Sequence, residues 1–249
     1  MSVHEIITRN LSEVRRAIEA ACDRGNRSPD SVQLIVVTKY AELDWVRALV
    51  ELGETQLGES RPQQLCLRAE ELSTVAKLSD AAENANAVQW HMIGHLQRNK
   101  VDIVVSTADL IHSIDSLRLL RKIESSSAAI GKRPRALLEV NVSGEESKDG
   151  FAPTELRSNW QQVLDLQNVD IQGLMTMAPR GEDAESARPY FRQLRDFRDE
   201  LAGLSAGRLS LPELSMGMSG DFETAIEEGA TLIRIGSRLF DGLSRSDQR

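Results

Sequence analysis

Lys39 closes the run Gln33-Leu-Ile-Val-Val-Thr-Lys39, and it is the first residue in the chain with evident chemistry. Read as a strand, the run sends Ile35, Val37 and Lys39 to one face at a period of two. An ammonium that continues an apolar face is costly to desolvate, and a lysine held there becomes a nucleophile toward carbonyls. The plain alternative is that Lys39 lies past the last buried residue and extends into water. Two later groups, Ser215-Met-Gly-Met-Ser219 and Gly236-Ser237, combine hydroxyls with small residues. Small residues and exposed amides let a phosphate approach closely, although Gly and Ser also favour ordinary turns. Arg234 lies between Ile233 and Ile235, so its side chain points away from theirs and needs a partner of its own. Glu139 would make that a structural ion pair; a ligand's ring nitrogen would make it a binding contact.

These residues need elements to position them. Val3 to Ala21 carries apolar residues at helical spacing. A rhythm follows. Helices are expected over Leu43–Leu52, Pro62–Ser73, Gln97–Val105, Ser116–Ser126, Thr154–Leu166, Ala184–Leu201 and Phe222–Gly229. Strands are expected at the Lys39 run, Thr55–Ser60, Gln89–Gly94, Leu110–Asp115, Arg135–Val142, Val169–Met177, Glu213–Met218 and Leu232–Phe240. Ser73 to Val88, rich in Ala, Ser and Asn, is expected to be a surface insertion. Strands alternating with helices imply a parallel sheet, and the repeat count is that of a (β/α)8 TIM barrel preceded by one extra helix. An open doubly wound sheet would want a glycine-rich first turn, where this chain has Thr38-Lys39-Tyr40. No linker divides the chain, so residues 1–249 are expected to form one domain.

In such barrels the active face lies at the C-terminal ends of the strands. Lys39, Glu59, Ser60, Ser113, Asp115, Glu139, Asn141 and the two Ser/Gly groups all fall there. A lysine able to form an imine, a phosphate cradle and a partner for an aromatic nitrogen are together the three handles of pyridoxal 5′-phosphate (PLP). His91 and His95 have the spacing of two metal ligands on a helix, but no glutamate follows His91 and Gly94 breaks a helix there. No metal site is expected, and a hydrogen-bonding or ring-packing role near the pocket mouth is expected instead. No Ser-His-Asp or Cys-His set is suggested.

Composition narrows the function classes. A net charge of −8 argues against nucleic acid and anionic membrane as partners. Two cysteines are too few for a disulfide framework. No apolar run reaches membrane-spanning length, and Met1 to Leu11 lacks a signal layout, so a cytoplasmic protein is expected.

Longer motifs carry a resemblance. They are Val36-Val-Thr-Lys39, Leu57-Gly-Glu-Ser60, Trp90-His-Met-Ile-Gly-His-Leu-Gln-Arg-Asn-Lys100, His112-Ser-Ile-Asp-Ser116, Glu139-Val-Asn-Val-Ser143, Gly173-Leu-Met-Thr-Met177, Leu214-Ser-Met-Gly-Met-Ser219 and Ile233-Arg-Ile-Gly-Ser237. On these the chain resembles the pyridoxal phosphate homeostasis protein family, which folds like the barrel domain of alanine racemase. The resemblance implies a Schiff base on Lys39, a phosphate held by Ser215, Gly236 and Ser237 with Met216 lining the turn, and Arg234 facing the pyridine nitrogen. Ser60, where the family usually has asparagine, is a departure beside the cofactor ring.

An arginine at that nitrogen disfavours its protonation and makes the ring a poor electron sink. Racemases of this fold add a β-rich domain carrying a tyrosine base. This chain ends at Arg249 without room for one, and neither Tyr40 nor Tyr190 matches. The expectation is therefore a protein without catalytic residues that holds PLP reversibly for intracellular homeostasis. It would be a monomer, with transient contact to PLP-requiring enzymes as recipients. Two enzyme readings stand beside it: a small racemase or decarboxylase on the same barrel, and a Schiff-base aldolase. Arg234 argues against the aldolase, because a sugar phosphate offers no ring nitrogen.

Overall fold

A computed structural model describes residues 1–76, 88–145, 148–179, 181 and 183–244. Eight parallel strands, β1 (Gln33–Val37), β2 (Gln56–Glu59), β3 (Gln89–Met92), β4 (Leu110–Ile114), β5 (Arg135–Glu139), β6 (Asp170–Met175), β7 (Glu213–Met218) and β8 (Leu232–Ile235), pair in sequence order and close into a barrel. β8 pairs with β1, setting Ile35 opposite Arg234. Seven of the eight expected strands keep their core and lose residues at their ends. β8 stops at Ile235 because Ser237–Phe240 turns into a 3-10 helix. β1 stops at Val37 because Ala41 N–H closes a turn onto the Thr38 carbonyl. The helix expected over Thr154–Leu166 is two, Pro153–Ser158 and Trp160–Leu164, interrupted at Asn159. Most of the expected insertion, 77–87, lies outside the described residues.

Period-two alternation sorts each strand into an outer and an inner row. Val36, Leu57, Trp90, Met92, Ile111, Leu138, Leu174, Leu214, Met216, Ile233 and Ile235 join the large core between sheet and helices. A smaller interior cluster gathers Ile35, Leu110, Leu137, Met175 and Leu232. Helix Val3–Arg24 opens with a capping box between Ser2 and Glu5 and buries Ile7, Leu11, Val14, Ile18 and Ala21. Its Asn10 amide donates to the carbonyls of Leu239 and Asp241, tying this extra helix to the chain just past β8. Among the described residues no helix is long and apolar enough to cross a membrane.

Candidate functional site

The mouth of the barrel collects the polar strand ends. Lys39 sits on the turn after β1, exposed, with Nζ 5.0 Å from the centre of the Tyr40 ring. The strand does not carry Lys39 onto the buried face as its spacing suggests. The residues on either side are the anchored ones. Thr38 is fully buried and donates its N–H to the Gly58 carbonyl at 2.8 Å, while Arg68 Nη2 donates to the Ala41 carbonyl at 2.6 Å. Arg68 comes from helix Pro62–Ala76 and pairs with the fully buried Glu59 at 3.6 Å. Burial lowers the pKa of Arg68 from its ordinary value. The other Glu59 oxygen accepts the N–H of Ser60 at 2.7 Å and of Arg61 at 3.3 Å. One carboxylate thus holds the turns after β1 and β2 together. Gly94 packs so closely on this corner that a Cβ there would lie 2.3 Å from the Ser60 carbonyl oxygen. Ser60 is half-buried at that corner.

Arg234 points inward from β8, opposite Ile233 and Ile235 as the alternation predicts, and is 4% exposed. Its guanidinium donates to Ser215 Oγ and, at 3.0 Å, to the Thr176 carbonyl. No ion pair joins it to Glu139 among the described residues. Burial lowers Arg234 to about 10, opposed by the attraction of Glu139 and Asp221, so it remains charged at neutral pH. Glu139, at the inward end of β5, is raised by burial to about 7.

Two expected site residues have other places. Ser215 lies within β7 rather than in a turn, and its hydroxyl, fully buried, is taken up by Arg234 and by His112 Nδ1 at 2.8 Å. Met216 follows it on the strand and so faces outward, joining the helix-layer core instead of lining the mouth. Within β7 the register against β8 shifts between Ser215 and Met218, and Gly217 there has a φ of 91° that suits glycine; a Cβ on it would lie 2.6 Å from that of Ala225. Gly236 and exposed Ser237 do stand at the mouth, where β8 gives way to its 3-10 helix.

The histidines divide differently from expectation. His91 lies inside the barrel, 1% exposed, where inward alternation between Trp90 and Met92 places it, and not near the mouth. His112 is its hydrogen-bonded neighbour there. His95 is exposed at the mouth, its Nδ1 3.2 Å from Asp115 and 3.3 Å from Asp149. Arg68 gave no signal in the sequence, since an arginine on an amphipathic helix reads as solvated.

Residues 64–243 match the family model described as "Alanine racemase, N-terminal domain". A protein of Aquifex aeolicus named "Pyridoxal phosphate homeostasis protein" is 40% identical over 92% of this chain and 95% of its own. One of the same name from Synechocystis is 36% identical over 85% of this chain and 92% of its own. The structure of PipY from Synechococcus elongatus with PLP bound is 35% identical, covers 94% of this chain and 99% of its own, and superposes with a TM-score of 0.79. With a barrel of the alanine racemase type and this identity over nearly its whole length, the chain belongs to the pyridoxal phosphate homeostasis protein family.

Proposed function

We propose that this protein binds pyridoxal 5′-phosphate reversibly at the mouth of its barrel and serves intracellular PLP homeostasis by holding and delivering it. The observation that carries the reading is Arg234: a buried, charged guanidinium at the inner wall of the mouth, with a hydroxyl and a carbonyl for partners. An aromatic ring nitrogen is the kind of acceptor such a donor can still meet. The other residues fit the group. Lys39 offers an exposed primary amine that makes no ion pair among the described residues, and Gly236 and Ser237 offer a small-residue turn with a free-standing hydroxyl after β8. The solved relative that holds PLP supports the same assignment. When bound, the cofactor supplies an aldehyde that condenses with an amine. Lys39 is then the covalent anchor, Arg234 the ring-nitrogen partner, and Gly236 and Ser237 the phosphate turn, with Ser60 at the ring's edge. Ser215 serves by holding Arg234. A single domain over residues 1–249, a monomer in the cytoplasm and brief contacts with PLP-requiring recipients complete the proposal.

Arginine at the ring nitrogen supports holding over catalysis, because a donor there opposes ring protonation. Tyr190 packs against the outer core, and Tyr40 stands at the mouth beside Lys39 in the chain. The purified protein with PLP is expected to be yellow and to lose that absorbance on borohydride reduction. A colourless protein after PLP addition rejects the reading. The racemase alternative is tested by α-proton exchange of D- and L-alanine in deuterated water. Sustained exchange above that of free PLP, lost in Lys39→Ala, would replace holding by catalysis.

A further inference from the structure

A row of hydrogen bonds crosses the barrel interior from Arg234 to the opposite end. Arg234 donates to Ser215 Oγ, which lies 2.8 Å from His112 Nδ1. His112 Nε2 lies 2.9 Å from His91 Nδ1, and His91 Nε2 lies 2.8 Å from Gln56 Oε1. Gln56 is the first residue of β2, at the end of the barrel away from the mouth, and is half-buried.

Donor and acceptor rules give every bond in this row one direction. A guanidinium can only donate, so Ser215 accepts from it. Ser215 has one proton, and its hydroxyl has one other partner among the described residues, His112 Nδ1. Both imidazoles are neutral, because burial lowers His91 to about 3 and holds His112 well below its ordinary value. A neutral His112 that accepts at Nδ1 carries its proton on Nε2 and donates to His91 Nδ1. His91, for the same reason, carries its proton on Nε2 and donates to the Gln56 carbonyl oxygen. Run the other way, the row would leave the Ser215 proton buried without an acceptor.

We propose that His112, His91 and Gln56 are positioning residues of the cofactor site, acting through Ser215 to hold the Arg234 guanidinium in one orientation toward the ring nitrogen. The proposal rests on the PLP reading above. It assigns an effect on the cofactor to Gln56, a residue at the far end of the barrel. The Thr176 carbonyl fixes the second guanidinium nitrogen, so loss of the row lets the Ser215 hydroxyl rotate and leaves Arg234 with one firmly oriented contact.

Two measurements test it. Nitrogen-15 NMR of histidine-labelled protein without cofactor, at neutral pH, is expected to show His91 and His112 both neutral and both protonated on Nε2. An Nδ1-protonated form of either overturns the directed row. PLP titration of His112→Phe is expected to show roughly tenfold weaker binding, about the worth of one hydrogen bond, with a shifted absorbance maximum for the bound cofactor. Gln56→Met is expected to shift the same absorbance in the same sense with a smaller loss, about threefold. Gln56→Glu keeps an acceptor for His91 and is expected to restore most of the affinity. Should His112→Phe fail to fold, the pair at position 56 carries the test. Unchanged binding and spectrum in Gln56→Met, with wild-type protein loaded, overturns the positioning role alone. A wild-type protein that does not bind PLP overturns both readings, and the NMR result then stands as a separate record of the row.

Discussion

Lys39 is exposed on a turn held by its neighbours, so Lys39→Ala removes a side chain without loosening the turn. Thr38 and Ala41 keep their hydrogen bonds. Stability is expected to change by about 0.5 kcal/mol or less, while borohydride fixes no cofactor mass to the variant. Circular dichroism and intact-protein mass spectrometry check the two halves, and a lost fold or a persistent adduct counts against the anchor role. Ser237→Asp is expected to weaken PLP retention more than Ser60→Ala, because a carboxylate in the phosphate turn sets like charges together. Equilibrium dialysis gives the order, and equal losses reject the phosphate assignment. The inward position of Arg234 was legible before the fold from its isoleucine neighbours, whereas the strand spacing set Lys39 on a buried face that it does not occupy. The strand expected over Glu213–Met218 is the one observed, but Ser215-Met-Gly-Met-Ser219 also reads as a phosphate turn, a role that residues 215 and 216 cannot both fill from within a strand. The strand runs through to Met218, and its alternation sends one side chain in and the other out.

At the scale of elements, the Glu59–Arg68 pair joins a helix to two strand-end turns. Arg68 is buried, yet among the described residues its Nε and Nη1 have no hydrogen-bond partner. The pair is thus weaker than a bidentate one, but removing one member leaves a fully buried carboxylate uncompensated. Arg68→Ala is expected to cost about 3 kcal/mol and to weaken PLP retention by releasing the Ala41 carbonyl. The double variant Glu59→Gln/Arg68→Met is expected to be the more stable of the two by urea denaturation, and the reverse order would show that the pair stabilises on its own account. Helix and strand identities followed from the period of the apolar residues. Element ends did not, because turn hydrogen bonds, such as Thr38 to Ala41, decide where a strand stops. His91 and His112 stand next to apolar residues as Arg234 does, but their pairing depends on β3 lying beside β4, which the barrel alone supplies.

For the whole molecule, three buried groups set how stability responds to acid. His91 ordinarily titrates at 6.5 and is lowered to about 3, and burial holds His112 well below its ordinary value. Below pH 6.5 unfolding therefore takes up a proton at each. Glu139 ordinarily titrates at 4.5 and is raised to about 7, so between these values the folded state holds the extra proton. From pH 6.5 down to 4.5 the difference is two protons gained less one lost, and stability falls by about 1.4 kcal/mol per pH unit. In Glu139→Gln the offset vanishes and the slope is expected to be roughly twice as steep. Urea midpoints across this range measure both, and a flat profile would mean the histidines are not neutral in the fold.

The directed row inside the barrel has an electrostatic consequence. The O–H of Ser215 and the N–H groups of His112 and His91 all point away from Arg234, so each bond dipole turns its negative end toward the guanidinium. The arginine's charge is thus stabilised by aligned dipoles in a low-dielectric interior, beside the attraction of Glu139 and Asp221. Dipoles buried among strands are poorly reached by mobile ions, whereas charges at the mouth are screened within about 10 Å at 0.1 M salt. On the proposed PLP reading, added salt is then expected to weaken the phosphate's long-range attraction to the mouth and to leave the contact of Arg234 with the ring nitrogen nearly unchanged.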